Sequence, residues 1–482
     1  MNATIRRSAL MMGVLIGLLI IRVNILAVVQ DDELRAREGN NRQIIDEYDH
    51  ERGSILVGRK EIAKSVPTDG RYKYLRQYSD GELYAPVTGY YSLYSSTGIE
   101  KSENDLLAGS DDRLFVDRMT NLFTGQQPRG GNVALTLDPD AQRAAYDGLN
   151  GQAGAVVALD PRTGAVLAMA SVPSYNPNTL ASHDASEVSK NYERLTKDPA
   201  DPLLNRATQQ VYPPGSLFKV VVSAAALESG QYEPNTEIPA PAVLDLPDTN
   251  SSIHNYTDTE CPGGSVTLKE ALTISCNTAF ARVGMDLGDD ALRKQARAFG
   301  FNQPLAIPLP VTPSIYPDNL DVPQTALSAI GQYDVRATVT EMAMVSAGVA
   351  NDGVVMKPYL VAEEQAPDLT SLSVTEPEVL SRAMSSTSAA QLNDMMVSVV
   401  ESPYGTGHNA QIPGVTVAGK TGTAQDGPVR PPHVWFMAFA PAEDPQVAVA
   451  VVVENGGRAG EAATGGEVAA PIAREVMEAV LQ

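Results

Sequence analysis

Two cysteines and five histidines are all that 482 residues offer as soft metal ligands. Neither Cys261 nor Cys276 has metal-ligand spacing. His50, His183, His254, His408 and His433 are scattered, and no H-E-x-x-H occurs, so a metallohydrolase is excluded and no metal or cofactor is expected. Positive charge is scarce too: Lys plus Arg is 36 against 58 for Asp plus Glu, and 36 − 58 = −22 is spread along the chain without a long acidic tail. A surface of that sign repels nucleic acid, so no polyanion partner is expected. The chain lacks internal repeats and low-complexity tracts. With 43% hydrophobic and 20% charged residues it suits two or three folded units with at least one sizeable core.

The N-terminus sets the compartment. Arg6 and Arg7 precede an apolar run from Ala9 to Val29, and 21 residues at 1.5 Å each span roughly 30 Å, one bilayer core. Arg22 and Asn24 interrupt the run near its outer end, where arginine can snorkel. No small-x-small cleavage site follows, since Leu26-Ala-Val-Val-Gln30 runs directly into Asp31-Asp-Glu33. The expectation is a cytoplasmic tail at 1–8 and an uncleaved transmembrane signal anchor at 9–29. Everything from residue 31 then lies across the cytoplasmic membrane. There the two thiols can pair, closing a loop of 276 − 261 = 15 residues worth about 3 kcal/mol in the chain-entropy model. Cys276 can equally be a small filler between Ser275 and Asn277, and the sequence leaves both readings open.

Residues 30–150 are rich in Tyr, Ser, Asp and Arg, with short apolar runs such as Ile44-Ile45 and Leu106-Leu107. They read as an elongated α+β pedestal or docking unit without chemistry of its own. From residue 151 to 482 the pattern tightens. Ala155–Leu159 and Ala165–Ser171 flank the turn Asp160-Pro-Arg-Thr-Gly164 and predict a β-hairpin. Further strands are expected at Val415–Thr423, Val434–Ala440 and Val447–Glu454, forming one antiparallel sheet covered by a last helix over Glu467–Val480. The intervening stretch is helical: Leu217–Ser229 ending at Gly230, a capping box at Thr267-Leu-Lys-Glu270, and a helix including Thr340–Val349.

Three short motifs carry the chemistry: Ser216-Leu-Phe-Lys219, Ser275-Cys-Asn277 and Lys420-Thr-Gly422. Each alone is cheap, and the S-x-x-K alone reads as an ordinary capped helix. Their conjunction in this order describes a serine acyl-transfer site in which lysine moves the proton. Tyr212-Pro-Pro-Gly215 delivers Ser216 to a first helical turn, and the i, i+3 spacing sets Lys219 on the same face. Burial and the second cation, Lys420, would keep Lys219 neutral and able to accept the hydroxyl proton. Ser275 would relay a proton to the leaving amine, and Asn277 would hold the substrate backbone and Lys219. Lys420 would meet a substrate carboxylate. Thr421, Gly422 and Thr423 would offer a strand edge to an extended peptide, and the N–H groups of Ser216 and Thr423 would form the oxyanion hole. Gly405-Thr-Gly-His-Asn-Ala410 matches a dinucleotide fingerprint in letters only and is read as a loop.

At these motifs the chain resembles the class B penicillin-binding proteins, the monofunctional peptidoglycan D,D-transpeptidases, and within them the actinobacterial penicillin-binding protein A subgroup. The likeness also rests on Gly154-Ala-Val-Val-Ala-Leu-Asp-Pro161, Asn205-Arg206, Tyr212-Pro-Pro-Gly215, Gly331-Gln332 and Val417-Ala-Gly-Lys-Thr-Gly-Thr-Ala-Gln425 with Trp435-Phe436. It departs where Tyr333 follows Gly331-Gln332, and where Thr338-Val-Thr-Glu-Met-Ala343 stands for the family's T-P-L-Q-M-A. The resemblance implies an α+β penicillin-binding transpeptidase fold, an antiparallel sheet flanked by helices with a helical subdomain. It also implies stem peptides ending in D-Ala-D-Ala as substrate, covalent binding of β-lactams, and a SEDS-type glycosyltransferase as membrane partner. A D,D-carboxypeptidase shares the motifs but uses water as acceptor, and the anchor with its large pedestal argues against it. A β-lactam sensor would need a signalling segment inside the cell, where about eight residues are available.

Overall fold

A computed structural model describes residues 3–24, 48–115, 119, 123, 127, 129–256, 258–425 and 430–482. Its centre is a five-stranded antiparallel sheet built from both ends of the C-terminal unit. Its strands are β1 (Gly154–Leu159), β2 (Val166–Val172), β3 (Ala418–Ala424), β4 (His433–Ala440) and β5 (Val447–Val453), in spatial order β3-β4-β5-β1-β2. Every residue of β4 and β5 is buried, which explains why their sequences run apolar without alternation. Helices Pro139–Leu149 and Ala470–Leu481 pack on one face, and Val339–Ala350 on the other. Each fully buried Val or Phe stabilises this sandwich by about 1.5–3 kcal/mol. β3 is one of the two edge strands, β2 being the other, and its Thr421–Thr423 stretch borders a cleft.

Between the hairpin β1–β2 and strand β3 the chain is mostly helical. The segment expected as one helix from Leu217 begins as a 3₁₀ turn, Gly215–Phe218, and becomes α-helical only at Lys219–Glu228, ending before Gly230 at φ +69°. Thr267 and Glu270 form the expected capping box on Leu268–Thr273. The helix Asn277–Leu287 starts directly after Cys276, and Thr338 caps Val339–Ala350.

The N-terminal unit holds a six-stranded sheet in the order Ser371–Val374, Val361–Gln365, Asn132–Leu135, Ile55–Val57, Lys60–Pro67, Tyr74–Tyr78. Two of its strands thus come from far along the chain, while helix Pro139–Leu149 crosses in the other direction to the catalytic sheet. Inside the N-terminal unit, Glu100 is fully buried between Arg52 at 2.7 Å and Arg76 at 2.6 Å, with the Tyr78 hydroxyl at 3.1 Å. Burial pushes the Glu100 carboxyl up, but Arg76 and Arg52 outweigh it and hold it below its usual range.

Helix Ala3–Asn24 covers the first part of the expected anchor; residues 25–29, and 30–47 of the expected pedestal, lie outside the described residues. Among the described residues no helix is long and apolar enough to cross a membrane. Arg6 and Arg7 at one end and Arg22 at the other explain this. Residues 8–21 number 21 − 7 = 14, roughly 21 Å of uncharged helix against a core of roughly 30 Å.

Candidate active site

Tyr212 opens the turn that carries Ser216. Its backbone bonds to Ala337 in both directions, at 2.9 and 2.8 Å. The Trp435 indole N–H donates to Pro213 O at 3.1 Å, and the Gly215 N–H donates to Gly331 O at 3.0 Å. Both glycines are obligatory. Gly215 sits at φ +53° with the Thr423 carbonyl 2.7 Å from where a Cβ would stand, and Gly331 at φ +69° would place a Cβ 2.0 Å from Gly215 O. In a 3₁₀ turn side chains three apart eclipse, so Ser216 and Lys219 still lie on one face although the helix is not α at that point. Ser216 is half-buried and lines the cleft. Among the described residues, its hydroxyl has no protein partner.

Lys219 is instead engaged by the second motif. Its Nζ donates to Ser275 O and Asn277 Oδ1, both at 2.7 Å, and lies 3.2 Å from Ser275 Oγ. Ser275 adopts φ +61°, a left-handed conformation that aims its carbonyl at the amine. Lys420 Nζ reaches the same hydroxyl, 2.9 Å from Ser275 Oγ, and also donates to Thr421 O at 2.8 Å. Both lysines are fully buried and neither has a carboxylate partner among the described residues. Burial, then the neighbouring Lys420 charge, pushes Lys219 well below the usual lysine range; burial alone lowers Lys420 to about 7. A neutral Lys219 has two protons for two carbonyl oxygens, which leaves its lone pair for a hydroxyl proton.

The third motif lies in the body of strand β3, since the strand begins at Ala418 and not at Val415 as expected. Gly422 backs onto the nucleophile turn: a Cβ there would meet Leu217 Cδ1 at 2.5 Å. Ser216, Ser275, Asn277, Thr421, Gly422 and Thr423 all line one cleft of about 810 Å³. Another cavity of about 560 Å³, beside Tyr90, Tyr175 and Pro308, contains none of the motif residues.

Several contributors escaped the sequence reading. Asn255 Oδ1 accepts the N–H groups of Asn277 and Thr278, both at 3.1 Å, and so caps a helix whose own N-cap residue, Cys276, offers no side-chain cap. The Cys261–Cys276 pairing that the sequence leaves open is made: a disulfide joins them and ties the same loop to the S-x-N motif a second time. Thr406 belongs to the glycine-rich stretch read as a loop. It is a loop, yet the Thr406 hydroxyl lies 2.6 Å from that of Thr421 at the cleft wall. Asn255 and Thr406 have no local signal, because each acts on a motif 15 or more residues away.

Two lysines stripped of counter-ions by burial, beside a serine that lines the cleft, define the class: a serine acyltransferase. The chain belongs to the penicillin-binding protein transpeptidase family. The family described as "Penicillin binding protein transpeptidase domain" matches residues 154–478, and "Penicillin binding protein A dimerisation domain" matches 52–133. The chain is 47% identical to peptidoglycan D,D-transpeptidase PbpA of Mycolicibacterium smegmatis, over 100% of this chain and 99% of that one. It is 45% identical to PbpA of Mycobacterium tuberculosis over the same shares. The solved ceftriaxone acyl-enzyme complex of penicillin-binding protein A from M. tuberculosis superposes with a TM-score of 0.87 at 45% identity, covering 91% of this chain and 100% of that one.

Proposed function

We infer that this chain is a peptidoglycan D,D-transpeptidase that works through a serine acyl-enzyme at Ser216 and is acylated by β-lactams. The observation that carries this is the pair of buried, unpaired lysines converging on Ser275 beside the cleft that Ser216 faces. Lys219 takes the Ser216 proton as Oγ bonds to the penultimate D-Ala carbonyl of a stem peptide. The oxyanion forms against the N–H groups of Ser216 and Thr423. The C–N bond then breaks, Ser275 passes a proton to the departing D-Ala amine, and the acyl group stays on Ser216. The side-chain amine of a second stem attacks that ester, forming the cross-link and returning the serine. Lys420, with Thr421 and Thr423, receives the donor carboxylate. A β-lactam presents the same carboxylate and carbonyl, but its cleaved amide nitrogen stays tethered in the site and blocks the acceptor.

Residues 9–29 anchor the chain in the cytoplasmic membrane, with the catalytic unit outside. Apolar side chains exposed on helix Ala3–Asn24, from Leu10 to Val23, support this. A polytopic SEDS-type glycosyltransferase would supply the glycan strands, since no part of the chain reads as a glycan polymerase. The test is Ser216→Ala. Labelling by a fluorescent penicillin should vanish while the thermal transition stays in place, and labelling that persisted would remove Ser216 as nucleophile.

A further inference from the structure

Behind the nucleophile turn lies a buried polar junction that the reaction scheme does not use. The Tyr212 hydroxyl donates to Glu454 Oε1 at 2.7 Å, and Arg206 Nε donates to the same oxygen at 2.9 Å. Arg206 is itself fixed, giving its remaining nitrogens to Asp201 O at 3.1 Å and Ala200 O at 2.8 Å. Its backbone N–H donates to Ser171 Oγ, at 3.0 Å, on strand β2. Glu454 follows the last residue of β5, and its N–H donates to Ala153 O at 2.8 Å beside the start of β1. The carboxylate is therefore anchored to the rigid sheet. The Tyr212 ring is held edge-on by His433 at 5.2 Å and Trp435 at 5.8 Å. Burial, then Glu454, pushes the Tyr212 hydroxyl far above its usual range, so it remains a donor.

From Tyr212 to Ser216 there are three intervening residues, two of them prolines whose rings fix φ. A displacement at the tyrosine is passed along so stiff a tether with little loss. We propose that Glu454, locked by Arg206, is a positioning residue for catalysis: through Tyr212 it sets where the Ser216 hydroxyl stands relative to Lys219. This gives a role to the Asn205-Arg206 pair, which lies near the nucleophile turn yet outside the cleft. Asn205 Nδ2 holds Pro86 O at 2.8 Å in the N-terminal unit, so the same dipeptide ties the turn to both units.

The proposal rests on Ser216 being the acylated residue, and its test separates the two claims. In the full-length protein, the first-order acylation constant and the pre-acylation dissociation constant for a fluorescent penicillin are measured together with Tm. Glu454→Ala should slow acylation on the order of 10- to 100-fold, as expected for a displacement of about 1 Å, with the dissociation constant changed less than about twofold. Glu454→Gln, whose amide oxygen accepts the same two bonds, should restore the rate to within about threefold. Should Glu454→Ala fail to fold, Tyr212→Phe removes only the hydroxyl and should slow acylation in the same way. A parental acylation rate in Glu454→Ala or in Tyr212→Phe would overturn the positioning role, as would equal losses in Glu454→Ala and Glu454→Gln. Absence of labelling in the unsubstituted protein would instead sink the acyl-enzyme reading itself.

Discussion

The Ser275 carbonyl oxygen lies 2.7 Å from Lys219 Nζ, and Ser275 presents it from a backbone φ of +61°. A non-glycine residue in that region costs about 1–2 kcal/mol, so part of the fold's stability is spent on aiming one carbonyl at the base. Ser275→Gly should relieve the strain and raise stability by about 0.5–1 kcal/mol. It also deletes the hydroxyl shared by both lysines, so acylation by penicillin should fall on the order of 100-fold. Chemical denaturation and a labelling time course on one preparation would check both. A variant both less stable and fully active would contradict the account.

Asn277 offers Lys219 a neutral oxygen at 2.7 Å. Asn277→Asp would place a carboxylate at that distance and hold the amine protonated, the form that cannot accept the Ser216 proton. Acylation should drop at least about 100-fold at neutral pH and stay low as pH rises, since Lys420 loses its charge before Lys219 loses its proton. A rate profile from pH 6 to 10 would check this.

The lowered lysine pKa values also shape the parent protein's own pH profile. On the proposed scheme, acylation needs Lys219 neutral and Lys420 charged. Burial and the Lys420 charge push Lys219 well below the usual range, and burial lowers Lys420 to about 7. The rate should therefore rise with pH as Lys219 loses its proton and decline as pH passes about 7. Lys420→Arg, whose guanidinium keeps its charge, should carry the declining limb upward even at a reduced rate. Penicillins lacking the carboxylate should show the rising limb without the decline.

Glu341 stands where the family sequence writes glutamine. Its carboxyl is buried at the start of helix Val339–Ala350, its Oε1 has no partner among the described residues, and burial raises it to about 8. A folded-state value above the unfolded one means that the native state holds the extra proton. Its stability is thus fully present below about pH 4.5 and is lost as pH rises through about 8. Glu341→Gln removes the titration. The variant should match the parent in acid and exceed it above pH 8, by roughly 3–5 kcal/mol at most. Tm against pH for both proteins measures the gap, and curves that stay parallel would rule this out.

What could be read from the sequence was whatever depends on near neighbours. The hairpin β1–β2 follows from two apolar runs about a Pro-Gly turn, the capping box at Thr267 from a four-residue signature, and the cleft motifs from their letters. Less legible were features in which distant segments decide the geometry. The 3₁₀ character at Ser216 is imposed by Gly331 and Thr423 closing on Gly215, and no periodicity encodes it. Strand Val361–Gln365 has its partner, Asn132–Leu135, more than two hundred residues earlier, and Ser371–Val374 pairs only with Val361–Gln365, so neither has a local signal. Thr406 lies in a spurious glycine pattern, and a single hydroxyl contact leaves no trace in local spacing.

The interleaving of the two sheets has a practical side. A fragment cut at the family boundary, beginning at Gly154, would lose the strand against which Val361–Gln365 lies and the helix Pro139–Leu149 that covers the catalytic sheet. It would expose a raw hydrogen-bonding edge and an apolar face at once, the combination that drives chains to stack into aggregates. Inhibitor screens against this enzyme therefore need the N-terminal unit as a folding partner, whatever its cellular role.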